Sequence, residues 1–259
     1  MTEFFGADLR HSRFERVDLT GSQFWASDLS DSRLRGTDLD RVVMRGVELV
    51  DVDISGEIVN VTVNGVDIVP LVEAELNRRY PERVKMRPSD AAGFREAWDI
   101  LERLWDETVD RARRFDPELL HQSVDGEWSF IETLRHLVFA TDSWIRRGIH
   151  GDPAPWHPLA LPWDEMADTP GVPRDRDARP SLDEVLELRR DRMAGVREVI
   201  DGLTDDTLDS ETEPVEGVGW PPAGRTFPVR KVLSIILNEE WEHRLYAERD
   251  LGILQVRAQ

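Results

Sequence analysis

The sequence predicts an α+β protein of two domains: a short coil with four flat faces, followed by four amphipathic helices packed as a bundle. Three observations carry this. A five-residue period runs from Phe4 to Val59. Four stretches beyond residue 90 repeat apolar residues every three or four positions. In the last of them a glutamate and a histidine continue the apolar stripe and mark a candidate site. The ranges expected are 1–70 for the coil with its covering strands, 71–89 for a short helix and linker, and 90–259 for the bundle.

In the first range every fifth residue is large and apolar, among them Phe4, Leu9, Phe14, Leu19, Phe24 and Leu29. A small or β-branched residue such as Ser12, Val17 or Ser22 stands two places before each. Five fits neither the helical nor the strand period. It fits a coil with faces five residues long, in which both residues of each face point inward. ADLRH, VDLTG, SDLSD and TDLDR resemble the pentapeptide-repeat family, which implies a right-handed quadrilateral β-helix. Such a solenoid needs its open end covered. Residues 56–70 suit that task, with β-prone Val61 and Val63, a turn at Asn64-Gly65 and a return from Val66 to Val69. A short helix broken at Pro81 and a polar linker to about Ser89 follow.

The first bundle helix is expected from Asp90 to about Phe115, carried by Phe94, Trp98, Leu101 and Trp105. The second starts at the capping box of Ser129 and Glu132; Leu134, Leu137 and Ile145 lie on its stripe, with His136 beside it. The third starts at a second capping box, Ser181 with Glu184. The fourth follows Pro228 and stops at Gly252. The connections 150–180 and 204–227 are long, rich in proline and hold tryptophans, which suggests lids or crossovers. Arg189, Arg190 and Arg192 sit among Glu187 and Asp191 and read as a solvated helix face.

Val232, Ile236, Glu239, His243 and Tyr246 share one stripe of the fourth helix. A carboxylate on a buried line needs a partner. A divalent metal gripped by Glu239 and His243 at i, i+4 would supply one; a surface pair on a helix turned to solvent is the alternative. EWSFIETLRHLVFATDSW and LNEEWEHRLYAERDL resemble the DinB-like superfamily of metalloenzymes over residues 90–251. The resemblance implies a four-helix bundle in which a histidine of the second helix and an H-x-x-x-H pair of the fourth bind a divalent metal. Carried onto this chain, the metal ligands are His136, Glu239 and His243, with Glu239 where the family pattern has a histidine. A glutamate at that place also occurs in the mycothiol-dependent maleylpyruvate isomerases of the superfamily. A carboxylate favours zinc, with nickel as the alternative. His136 lies about seven residues into its helix and His243 about eight from the end of its own. Parallel helices would separate them by about 10 Å, so a shared ion requires an up-down-down-up bundle. His157 in the first long connection reads as a loop histidine, although it could approach the ion. Arg244 and Glu240 could orient an anionic substrate or form a surface ion pair.

Composition narrows the function. The net charge of −19 and the lack of a basic patch exclude nucleic acid as a partner. No run of apolar residues is long enough to span a membrane, and the polar start does not read as a signal peptide, so a cytoplasmic location is expected. Cysteine is absent, which excludes disulfides, cysteine-bound zinc and an internal thiol nucleophile. The function expected is a divalent-metal-dependent enzyme, a low-molecular-weight-thiol S-transferase, with the thiol and a small electrophile as its small-molecule partners. The alternative is a non-catalytic metal-binding protein whose repeat domain binds a protein partner. A homodimer is the candidate assembly.

Overall fold

The computed structural model of the protein describes residues 2–257. The chain divides into two units between Ser55 and Gly56.

The first unit is a series of turns. The backbone enters the left-handed region at every fifth residue from Gly6 to Asp51, at glycines and at His11, Arg16, Ala26, Asp31 and Arg41 alike. Corners at 9–12, 19–22 and 29–32 close through hydrogen bonds from the amides of Ser12, Ser22 and Ser32 to the carbonyls of Leu9, Leu19 and Leu29, at 3.0–3.1 Å. The third residue of each has positive φ, as in a type II turn. Just ahead, Asp8, Asp18 and Asp28 accept the amides of Arg10, Thr20 and Ser30 through Oδ1. These Asx contacts explain the recurring Asp-Leu of the motif.

The orientation expected for the large residues is corrected here. Phe14, Leu19, Phe24 and Leu29 are 59%, 47%, 65% and 56% exposed rather than turned into a closed interior. No strand occurs among the described residues of this unit. The physical reason is that the backbone–backbone bonds at these corners span only three residues. Such bonds fix each corner but bring no second layer over the apolar row.

The second unit opens with the hairpin β1 (Thr62–Val63) and β2 (Val66–Asp67), joined at Asn64-Gly65. Both turn residues have positive φ, 51° and 79°, the type I′ requirement that Asn-Gly meets most easily. Helix α1 (Val69–Arg79) begins with proline in its first turn and ends before Pro81, where a 3₁₀ segment runs to Met86. Four long helices follow: α2 (Ala91–Ala112), α3 (Phe130–Thr141), α4 (Leu182–Asp201) and, after the one-turn α5 (Asp205–Leu208), α6 (Val229–Arg257). Both expected capping boxes form, at Ser129/Glu132 and Ser181/Glu184. Beyond α3 the chain widens into one π-helical turn at 142–147. It ends at Gly148, where a Cβ would lie 2.5 Å from the carbonyl oxygen of Trp144.

Helix α6 does not stop at Gly252. It continues to Arg257 and buries Leu254 on the way. A glycine inside a helix costs about 1 kcal/mol relative to alanine, and burying a leucine contributes more than that.

Polar contacts give the helix directions. Arg95, early in α2, donates to the carbonyls of Ile200 and Leu203 at the end of α4, while Arg113 pairs with Asp183 at the start of α4. These two helices therefore run oppositely. Arg230, early in α6, donates to the carbonyl of Ser89, and Arg111 pairs with Glu248 late in α6; α2 and α6 run the same way. Phe130 and Ile131 at the start of α3 share an apolar cluster with Ala247 and Leu251 near the end of α6. Ile145 beyond α3 clusters instead with Leu233 and Ile236 near the start of α6. Helices α3 and α6 thus run oppositely, which brings the middle of each to the same level. Among the described residues no helix is long and apolar enough to cross a membrane.

Candidate metal centre

Helix α3 is buried on all sides: every residue from Thr133 to Thr141 is buried, including Arg135 and His136. A helix buried all round must give each polar side chain a partner. His136 has one on the connection that follows. Its Nδ1 lies 2.9 Å from the carbonyl oxygen of Leu161. A carbonyl can only accept, so Nδ1 carries the proton and Nε2 keeps its lone pair. On α6 the Nδ1 of His243 lies 2.9 Å from the carbonyl oxygen of Glu239 one turn earlier, and the same reasoning leaves its Nε2 as a lone-pair atom. Holding one ring nitrogen by a carbonyl so that the other can bind is the usual support of a metal-ligating histidine.

The Glu239 carboxylate lies between the two rings. Its Oε2 is 3.4 Å from His136 Nε2 and 3.3 Å from His243 Nδ1. Neither contact has the geometry of a hydrogen bond, and this buried oxygen has no hydrogen-bond partner. His136, Glu239 and His243 each offer one ligand atom, and the three atoms lie within 4.8 Å of one another. The rings stack loosely, with centroids 4.8 Å apart. Burial lowers the pKa of His243 to about 4. Burial raises the Glu239 carboxyl, but the two histidines outweigh it and the net shift is downward. Near pH 7 the glutamate is an anion and His243 is neutral, the forms in which both groups bind a cation. A divalent ion fits this set: a carboxylate whose buried Oε2 accepts no hydrogen bond, the free Nε2 of His136 beside it, and the His243 ring next to both.

The walls are aromatic. Trp128 lies 4.5 Å from His136 and 6.0 Å from His243, centroid to centroid, and its indole nitrogen donates to Asp164 of the long connection. Tyr246, one turn beyond His243, meets that ring edge-on at 6.0 Å. Phe139, one turn beyond His136, continues the wall to Trp163 and then to Trp220, with centroids 6.1 and 5.2 Å apart.

His157 is a loop histidine outside the three-residue group; its Nδ1 accepts the amide of Leu159. Other expectations are corrected. Glu240 and Arg244 are not paired with each other. Glu240 is buried and receives two hydrogen bonds from Arg189, at 2.7 and 2.6 Å, while Arg244 donates to the carbonyl of Leu104 and the hydroxyl of Thr108. Nor are Arg189 and Arg192 solvated, for they are 3% and 7% exposed. Arg192 pairs with Asp142 in the π-helical turn at 2.9 Å. Both arginines are interior because their carboxylate partners lie on other elements, which sequence neighbours do not reveal.

Sequence reasoning passed over Arg135 and Arg147, both fully buried. The signal was present for Arg135: a charged residue in a run whose every face is apolar or small must be inside and must be solvated by backbone.

A family model of the DinB superfamily matches residues 100–247, a span that holds all three residues of the centre. The chain belongs to the DinB superfamily. In this DinB-superfamily protein a second model, for pentapeptide repeats, matches eight copies over residues 2–36 and 26–56. No curated protein and no solved structure matches the chain.

Proposed function

We infer that the protein is a divalent-metal-dependent enzyme whose ion is held by His136, Glu239 and His243, and that it transfers a low-molecular-weight thiol to a small electrophile. The observation that carries the metal reading is the partnerless Glu239 oxygen between two imidazoles whose other nitrogens are tied to carbonyls. Only three protein ligands gather there among the described residues, the pattern of a catalytic rather than a structural zinc site. When bound, zinc would supply Lewis acidity and lower the pKa of a coordinated thiol.

The chain's own residues do the rest. It has no cysteine, so the sulfur must arrive with a co-substrate. Trp128 and Tyr246 narrow the approach to the two histidines and limit water, and the half-buried Trp163, backed by Phe139, offers an apolar surface for the electrophile. In this reading the four long helices run up-down-down-up. The repeats wind as a right-handed quadrilateral coil, which the corner at every fifth residue supports.

Conjugation of mycothiol, bacillithiol or glutathione to monochlorobimane by zinc-loaded protein tests the reaction. Turnover lost in His243→Ala is the expected result; rates equal to the uncatalysed mixture with all three thiols would contradict it. The exposed apolar row of residues 4–54 supports a second reading, in which the repeats bind a protein partner and the ion is structural, and the inactive outcome favours it.

A further inference from the structure

We propose that Arg135 is a positioning residue for the metal centre, acting on His136 through the backbone of Leu161; this rests on the metal reading above. Arg135 directly precedes His136 and is 0% exposed. Its guanidinium donates to three carbonyls of the 150–180 connection: Nε to Leu159 at 2.8 Å, Nη1 to Ala178 at 3.1 Å, and Nη2 to Asp175. The carbonyl of Arg135 itself accepts the amide of Leu161 at 3.2 Å. Leu161 then presents its own carbonyl to Nδ1 of His136 at 2.9 Å. Side chain and main chain of one residue therefore hold 159–161 against α3, and that segment sets the proton position on the neighbouring imidazole.

The arrangement is costly. A buried guanidinium loses its hydration, and burial lowers the pKa of Arg135. An apolar side chain of the same length would fill the space without that cost. What it could not do is join three diverging carbonyls with a rigid planar fork. Removing the fork leaves those carbonyls unsatisfied and frees 159–161 to move. The two neutral tautomers of histidine are chosen by the hydrogen bonds they make. Without the Leu161 carbonyl the proton can pass to Nε2 and occupy the lone pair that faces Glu239. Loss of such outer partners typically weakens metal binding about 10–100-fold.

Arg147 provides the comparison. It is equally buried and also surrounded by carbonyls, donating to Pro221, Pro153 and Gly217 at 2.9, 2.6 and 2.6 Å. None of these residues bonds to His136. Replacing it disturbs the same connection while leaving the Leu161 contact in place.

The experiment uses the full chain as wild type, Arg135→Met, Arg135→Lys and Arg147→Met. It combines zinc titration against a chelating dye with ¹⁵N spectra of the histidine rings in metal-free protein. The expected result is an Nδ1–H tautomer for His136 in wild type and Arg147→Met, with wild-type zinc affinity in the latter. Arg135→Met should show mixed tautomers and zinc binding about 10–100-fold weaker, with Arg135→Lys between. Should Arg135→Met fail to fold, Arg135→Lys serves in its place. Unchanged tautomer and affinity in the Arg135 variants would overturn the proposal, as would an equal loss of affinity in Arg147→Met. Wild-type protein that binds no zinc would remove the metal reading itself, and the tautomer comparison would still decide the role of Arg135.

Discussion

Asp142, Glu240 and Asp250 reach the interior of the bundle, and each has a guanidinium beside it: Arg192 at 2.9 Å, Arg189 at 2.6 Å and Arg249 at 2.7 Å. Glu239 has two imidazoles instead, one of them held neutral at pH 7. A buried anion without compensating charge is expensive, and that contrast separates Glu239 from the structural pairs around it. Glu239 and His243 were legible in the sequence because both sit on one helix at a spacing that fixes their proximity. His136 needed the family resemblance, since nothing local ties it to residues a hundred positions away. Arg189 and Arg192 were misread for the same reason: the sequence shows their neighbours Glu187 and Asp191, not Glu240 and Asp142. A prediction at this scale concerns Glu73, which the Arg83 fork engages through two 2.8 Å hydrogen bonds. This contact, with a contribution from Arg87 and against burial, lowers the Glu73 pKa from 4.5 to about 2. A depressed carboxyl stabilises the fold above its unfolded pKa, and the contribution is lost as pH falls through the folded value. Glu73→Gln should therefore lower Tm at pH 6, and the gap to wild type should shrink as pH falls below 4.5 toward 2. An equal gap at pH 6 and pH 3 would contradict this.

Helix starts were legible because their chemistry is local. Ser129 with Glu132 and Ser181 with Glu184 satisfy the first amides of α3 and α4 as their spacing suggests. Helix ends were less so, since Gly252 reads as a stop until the burial of Leu254 beyond it is known. The long connections could be recognised but not placed, because what anchors them is backbone. Arg147 gathers carbonyls of Pro153, Gly217 and Pro221, residues far apart in the chain. The two connections also meet where the tip of the Trp156 ring abuts Gly219, at which an added Cβ would come within 2.1 Å of the indole. Trp156 cannot retreat freely: its nitrogen donates to Ser143 at 3.0 Å, and the Arg147 guanidinium sits 5.4 Å from its ring. Gly219→Ala should thus cost about 1–3 kcal/mol, the range for overpacking, and lower Tm by several degrees. Thermal unfolding within one degree of wild type would show that the contact yields without strain.

At the scale of the whole molecule, the five-residue period was legible and the corners fall where it puts them, yet the direction of the large side chains was not. Period fixes the turns, which are local, whereas burial depends on packing between layers. That His136 and His243 must meet at one level was legible, and the contacts of α3 with α6 bring them there. An ion at the place where those helices meet is what the three side chains are arranged to hold. Metal analysis of protein purified from cells supplied with zinc and nickel, alongside His243→Ala, tests this most directly. About one equivalent of a divalent ion in wild type, and none in the variant, is the result predicted. Wild-type protein without bound metal, or a variant that retains as much as wild type, would contradict it.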